Sequence, residues 1–312
     1  MKKALIFGTD GFVGRYMAEE LFENGYEVYG TGRHGGQQRF DYAGWYVCDL
    51  TDSDNVKNII AEVNPTHIVN LAAQSNVGIS WKIPKRTLDA NVCGPINILE
   101  AINQCEADCS ILMIGSSEEY DNCDHALNEK DLLKASNPYG ISKVTLECFC
   151  ELYRKRYGMK IHFVRSFNHT GIGQTDNFVI PSWCKQVADI TNSGHAGEMH
   201  VGNLEIKRDF SNVKDIVSAY RLILESDEFD IVYNVGSGKG ESLRDILSYI
   251  ISLSDQEIKV EIDKKLIRPV ENPVIYCDNT LLREKLGWRP RYDIYTTAKE
   301  IYEYYLNERK QT

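Results

Sequence analysis

No apolar stretch in this 312-residue chain is long enough to cross a bilayer, which removes a membrane-spanning reading. Positive charge is in short supply as well. The 35 Lys and Arg stand against 45 Asp and Glu, a formal net charge of −10, so no global field exists to hold nucleic acid or an anionic membrane. Any phosphate ligand has to be caught by local groups. The nine cysteines are odd in number, scattered and without a Cys-x-x-Cys pair, and the seven histidines show no metal-ligand spacing. This predicts reduced thiols, a cytoplasmic protein and no metal. Internal repeats, low-complexity tracts and long linkers are also missing. The apolar run after Met1-Lys2-Lys3 covers only Ala4-Leu5-Ile6-Phe7 before Gly8, too short for a signal peptide, and reads as a first strand. Without an export signal, the Asn168-His169-Thr170 glycosylation pattern reads as accidental.

With 43% hydrophobic and 26% charged residues, the chain has enough material for a large core. Short apolar runs at 4–8, 27–30, 46–48, 67–72, 110–115 and 161–165 alternate with helical periodicities. Val13, Met17 and Leu21 form one such stripe, and Val56, Ile59, Ile60 and Val63 another. Several strand runs are apolar at consecutive positions, as strands covered on both faces should be. The expectation is an α/β fold, a doubly wound parallel sheet of the Rossmann kind, with a smaller interleaved C-terminal lobe. Residues 1–167 with about 211–236 would form the main unit. The smaller lobe would take about 168–210 and 237–312, including a helical stretch at 182–190 and helices at 241–252 and 278–286, while a strand at 231–235 returns to the main unit.

Gly8-x-x-Gly11-x-x-Gly14 follows the first strand and opens the first helix, the context in which glycines permit a tight turn, close approach to a pyrophosphate and close helix packing. The second strand ends near Thr31-Gly32-Arg33, without the acidic residue that would bond the 2′-hydroxyl of NAD. A guanidinium there can pair with a 2′-phosphate, so NADP(H) is expected ahead of NAD(H). Asp49 either accepts from the adenine amine or caps the helix after Thr51. Ala72 and Ala73 are small residues at a strand end where cofactor backbone can pass. The expected cofactor surface comprises Gly8, Gly11, Phe12, Val13, Gly14, Arg33, Asp49, Leu50, Leu71, Ala72 and Ala73, joined by Tyr139 and Lys143.

Asn137-Pro138 opens a helix on which Tyr139 and Lys143 stand at i and i+4. A free phenol titrates near 10; an ammonium one turn away would bring its proton into useful range and make Tyr139 a donor to a substrate oxygen. Ser116 follows the 111–114 strand, at the edge where ligands sit in such folds, and is the candidate to hold a developing oxyanion. Ser117 is its neighbour of unsettled rank. Glu118 is either a further acid or base or a surface carboxylate.

These residues resemble the extended short-chain dehydrogenase/reductase family over practically the whole chain, and within it most resemble the GDP-4-dehydro-6-deoxy-D-mannose reductases. The discriminating segments are Asn168-His169-Thr170-Gly171-Ile172-Gly173-Gln174, Phe178-Val179, Val201-Gly202-Asn203-Leu204-Glu205, Arg208-Asp209-Phe210 and Arg268-Pro269-Val270-Glu271-Asn272-Pro273. The resemblance implies a Rossmann lobe for NAD(P)H and a second lobe clamping a GDP-sugar, with Ser116, Tyr139 and Lys143 as the catalytic set and Glu118 beside them. It assigns Asn168, Lys185, Arg208, Arg268 and Glu271 to the sugar nucleotide. It implies hydride transfer to the sugar C4 carbonyl, yielding GDP-D-rhamnose or its C4 epimer GDP-6-deoxy-D-talose. The helices at 91–105 and 139–157 are similar in placement to those of a four-helix dimer interface, implying a homodimer. Ile172 stands where the family often has proline, and Tyr120-Asp121 where it often has Tyr-Gly. GDP-mannose 4,6-dehydratase is the principal alternative, because Ser116, Glu118, Tyr139 and Lys143 fit its frame too. Another nucleotide-sugar dehydratase or epimerase of the family, or a non-catalytic NADP-binding sensor, stands behind it.

Overall fold

Consecutive apolar residues in the N-terminal strand runs have to be covered on both faces, and the chain does this with one parallel sheet between two layers of helices. The computed structural model describes residues 2–35, 42–267 and 272–308. The first half supplies Lys3–Phe7 (β1), Phe12–Glu23 (α1), Glu27–Gly32 (β2), Gly44–Val47 (β3), Ser53–Val63 (α2), His67–Asn70 (β4), the short helices Val77–Ser80 (α3) and Pro84–Leu88 (α4), Gly94–Gln104 (α5), Ser110–Ile114 (β5), Pro138–Tyr157 (α6) and Lys160–Ser166 (β6). The second half supplies Asn168–Thr170 (β7), Val179–Ser193 (α7), Gly197–Val201 (β8), Lys207–Arg208 (β9), Phe210–Asn212 (β10), Val213–Leu224 (α8), Val232–Val235 (β11), Glu241–Ser242 (β12), Leu243–Ser252 (α9), Ile258–Ile262 (β13), Val274–Ile275 (β14), Thr280–Leu286 (α10) and Ile294–Glu308 (α11).

The seven-stranded sheet runs β3-β2-β1-β4-β5-β6-β11, parallel throughout. Strand order reverses between β1 and β4, which opens a crevice at their C-terminal ends, the place where such sheets bind ligands. The stripe predicted on α1 is buried as expected: Met17 and Leu21 pack with Ile216, Tyr220 and Ile223 of α8 over one face of the sheet. Val56, Ile59, Ile60 and Val63 of α2 pack with Ile98 and Leu99 of α5 over the other. Each such aliphatic side chain contributes about 1.5–3 kcal/mol by leaving water.

The smaller lobe has its own core, in which Trp183 and Val187 of α7, Ile246 and Ile250 of α9 and Ile301 of α11 cover Met199 and Val201 of the β8–β13 pair. One expectation needs correction here. The sequence places a helix at 278–286 in this lobe; the structure has α10 at Thr280–Leu286, with Leu282 and the following Trp288 buried in the main core. The Trp288 indole N–H donates to the Asp215 carbonyl and the Ser218 hydroxyl, both at 3.1 Å, which ties the segment to α8. Periodicity reports that a helix has an apolar face and is silent about which sheet that face will meet. Asp209, between β9 and β10, fastens the segments that follow β11 and β14. Its buried carboxylate accepts from Ser237 N at 2.8 Å, Ser237 Oγ at 2.6 Å, Gly238 N at 2.9 Å and Cys277 N at 3.1 Å, and burial still pushes it up to about 6.

His162 on β6 is fully buried against Phe229, ring centroids 4.7 Å apart, and neither ring nitrogen has a hydrogen-bond partner. Burial, with help from the Arg154 charge, pushes it down from 6.5 to about 4. Between those values the unfolded chain takes up a proton that the folded chain refuses, so stability is complete above pH 6.5 and declines as pH falls toward 4, by on the order of 2–3 kcal/mol. His67 and His169 are shifted the same way and add to that slope. Replacing His162 by Leu should flatten the fall of Tm across this window; a variant with the wild-type slope would remove His162 as its source.

Candidate active site

The glycine motif shows why its residues are glycines. Gly8 turns with φ +86°, and a Cβ there would lie 2.7 Å from the Ala72 nitrogen at the end of β4. A Cβ on Gly14 would meet the Gly8 carbonyl oxygen at 2.3 Å. Helix α1 is therefore seated directly on the turn. Gly11 caps it with no side-chain hydrogen bond, which leaves the N-terminal peptide groups of a 12-residue helix facing the crevice. Such an end binds phosphate through its N–H groups and dipole, so the cradle fits a dinucleotide pyrophosphate.

The other expected cofactor residues divide. Ala72 and Ala73 follow β4, with Ala73 exposed, while Leu50 is buried in the core on the α2–α5 face of the sheet and Val13 and Leu71 pack against the core on the α1–α8 face. Phe12 is turned toward the second lobe and stacks on His169 at 6.4 Å. Arg33 is exposed just beyond β2. Asp49 caps no helix: it accepts from Thr51 N at 2.9 Å and Thr51 Oγ1 at 2.8 Å, and those bonds, with the Arg33 and Arg86 charges, hold it below the usual carboxylate range. The cap of α2 is Asp52, which accepts from Asn55 N.

At the neighbouring strand end, Ser116 opens a single tight turn. Its N–H donates to Glu119 Oε1 at 2.6 Å and its hydroxyl accepts from Glu118 N at 3.2 Å. Gly115 leaves the room for this, since a Cβ there would lie 2.4 Å from Glu119 Oε1. Asn137 then joins this turn to α6. Its Oδ1 caps the helix by accepting from Gly140 N at 2.8 Å, and its Nδ2 donates to Glu118 Oε2 at 2.8 Å. Gly140 completes the joint, because a Cβ on it would be 2.2 Å from the Glu118 carbonyl oxygen. Ser116, Glu118, Tyr139 and Lys143 are thereby brought together, as the sequence predicts.

The electrostatics differ from expectation. Burial drives the Tyr139 phenol well above its ordinary value, the Glu118 and Glu119 carboxylates push the same way, and a hydrogen bond with Ser116 is the opposing influence. Lys143 is buried, and its ammonium donates to the Ile114 carbonyl at 2.7 Å, 5.8 Å from the Tyr139 ring centroid. Burial pulls it down to about 8 against the pull of Glu119. Desolvation is the largest influence on Tyr139, so the phenol keeps its proton.

Sequence reasoning missed Asn91. It sits in a π turn, 89–93, between α4 and α5, fully buried. It accepts from Gln74 N at 2.8 Å and donates from Nδ2 to Gln74 O and to Ser142 Oγ, both at 3.0 Å, while Ser142 Oγ donates to the Tyr139 carbonyl at 2.6 Å. The available signal was an amide on the apolar side of a helix. Of the sugar-nucleotide candidates, Arg208 is buried on β9 with Nη1 donating to the Lys207 carbonyl, Asn168 is exposed on β7, and Lys185 of α7 forms an ion pair with Asp176. Arg268 and Glu271 lie outside the described residues.

The sequence matches the GDP-mannose 4,6 dehydratase family over residues 5–301. It is 28% identical to GDP-6-deoxy-D-mannose reductase of Pseudomonas aeruginosa over 303 residues, 96% of each chain. It is 29% identical to GDP-mannose 4,6-dehydratase of Yersinia enterocolitica over 359 aligned positions, 100% of this chain and 95% of that one. The structure of RMD from Pseudomonas aeruginosa complexed with NADPH superposes with a TM-score of 0.86 at 26% identity, covering 99% of this chain and 100% of that one. Members of the family are NAD(P)-dependent enzymes acting on GDP-sugars. A glycine cradle of this geometry, a Ser–Tyr–Lys set at the adjoining strand end and a match along almost the whole length lead to one assignment: the chain belongs to the GDP-mannose 4,6 dehydratase family, among the extended short-chain dehydrogenases/reductases.

Proposed function

We propose that this protein reduces the C4 ketone of GDP-4-dehydro-6-deoxy-D-mannose with NAD(P)H to GDP-D-rhamnose, or to its C4 epimer GDP-6-deoxy-D-talose. The observation that carries this reading is the half-buried Tyr139 phenol bonded to the Ser116 hydroxyl at the sheet edge, with Lys143 one helical turn away on α6. A ketone reduction needs a proton donor, and a phenol of raised proton affinity is loaded for that task. The bound cofactor supplies a hydride to C4. Tyr139 gives its proton to the carbonyl oxygen as negative charge builds there, and the Ser116 hydroxyl donates a hydrogen bond to the same oxygen. Lys143, one helical turn from the phenol, stabilises the phenolate left behind. Arg208 meets the diphosphate, with Asn168 and Lys185 as further contacts of the sugar nucleotide and Arg268 and Glu271 expected beside them. Residues 1–167 with about 211–236 hold the cofactor in this reading, and the β8–β13 lobe holds the GDP-sugar.

Glu118 favours a second reading. Its carboxylate is tethered by Asn137 beside the phenol, where a base for C5 deprotonation would serve a GDP-mannose 4,6-dehydratase. The two readings separate in one assay. On the reductase reading, the keto sugar is consumed with stoichiometric NAD(P)H oxidation, and Glu118→Gln retains turnover within about tenfold. Tyr139→Phe lowers kcat by about 10²–10⁴. Formation of the 4-keto sugar from GDP-mannose without added NAD(P)H would establish the dehydratase instead.

A homodimer in the cytoplasm completes the proposal. Ile141, Cys148 and Leu152 are exposed on one face of α6, an apolar stripe at helical spacing, and the nine cysteines are free thiols. Sedimentation at micromolar concentration should report twice the chain mass, and Ile141→Arg with Leu152→Arg should halve it; a wild-type monomer would sink the dimer.

A further inference from the structure

The end of β2 lacks the carboxylate that would bond a ribose 2′-hydroxyl, yet a carboxylate stands at that end, delivered from the glycine turn. Asp10 lies between Gly8 and Gly11, and its Oδ2 accepts from the backbone N–H of Arg33 at 3.2 Å. Its carboxyl group occupies the space beside Gly32: a Cβ on that glycine would be 2.8 Å from both Asp10 Cγ and Oδ2. The turn and the strand end are laced together next to it. Thr9 N donates to the Thr31 carbonyl at 2.8 Å, and Thr31 N donates to Thr9 Oγ1 at 3.0 Å. Asp10 is thus pinned at the last residues of β2, where an acid grown from the strand would stand in a ribose-binding site.

We infer that Asp10 is a specificity-determining residue of the cofactor site: its carboxylate accepts from the adenosine ribose hydroxyls of NADH and repels the 2′-phosphate of NADPH, in opposition to Arg33. One Asp10 oxygen is engaged by the Arg33 N–H, and the other is the acceptor offered to the ribose. The same corner carries cations, because the Arg33 and Arg86 charges both reach Asp49. A 2′-phosphate entering it gains from the guanidinium groups and loses to the carboxylate, so the chain takes both cofactors and Asp10 sets the ratio. The inference rests on the family's NAD(P) dependence and is independent of which sugar is turned over.

Calorimetric Kd values for NADH, NADPH and the fragments 5′-ADP and 2′,5′-ADP test it without turnover. In Asp10→Ser, the affinity ratio of NADPH to NADH, and of 2′,5′-ADP to 5′-ADP, should rise about five- to tenfold. In Arg33→Ala both ratios should fall. Ratios in Asp10→Ser that stay within twofold of wild type, or equal shifts for the phosphorylated and unphosphorylated ligands, would overturn the assignment. The ketone-reduction reading would survive that result, since it depends on Tyr139 and Ser116.

Discussion

At the C-terminal edge of the sheet, backbones meet so closely that Gly8, Gly14 and Gly140 have no room for a β-carbon, and the geometry of the site depends on that contact. Seating α1 on the Gly8 carbonyl aims an uncapped helix end at the crevice between β1 and β4. The same device recurs two strands away, where the Glu118 carbonyl lies against Gly140 and the Glu119 carboxyl tucks beside Gly115. One contact shapes the glycine cradle and the other places the phenol. Because both contacts lie at the C-terminal ends of strands β1 and β5 of one sheet, the glycine cradle and the Ser116–Tyr139 pair are held to a common edge by the sheet itself.

Amides do much of the finer alignment. Asn137 caps α6 and tethers Glu118 with the two ends of one side chain, and Asn91 does the same for Gln74 and Ser142. A buried amide is costly unless all its groups are paired, so each fixes two segments at once and fails if either moves. Beneath them, Arg165 forms two bonds to Glu147, at 2.6 and 2.9 Å, and donates to the Tyr120 hydroxyl at 2.8 Å. Such a buried pair contributes little net stability and much geometric definition to the turn it supports.

Charge acts locally in this acidic protein. Burial lowers Lys143 to about 8 and raises Asp209 to about 6, in each case through loss of water. The phenol of Tyr139 obeys the same rule, its proton affinity raised chiefly by desolvation. A donor that must be loaded before hydride arrives is well served by that environment.

The strand runs, the amphipathic stripes of α1 and α2, the three turn glycines and the placement of Tyr139 and Lys143 on one helical face were legible in the residue order. The extra strands of the smaller lobe were not, because β9, β12 and β14 are two-residue elements whose pairing comes from segments far apart. The packing of α10 on the main core was not legible either, because an apolar stripe does not name its partner. The sequence by itself determined the elements and the residue types at the sheet edge, since short-range geometry and periodicity suffice for those. Only the tertiary structure decided the proton affinity of Tyr139, the anchoring by Asn91 and the arrival of Asp10 at the end of β2, because each depends on atoms distant along the chain that packing brings into hydrogen-bond reach and shields from water.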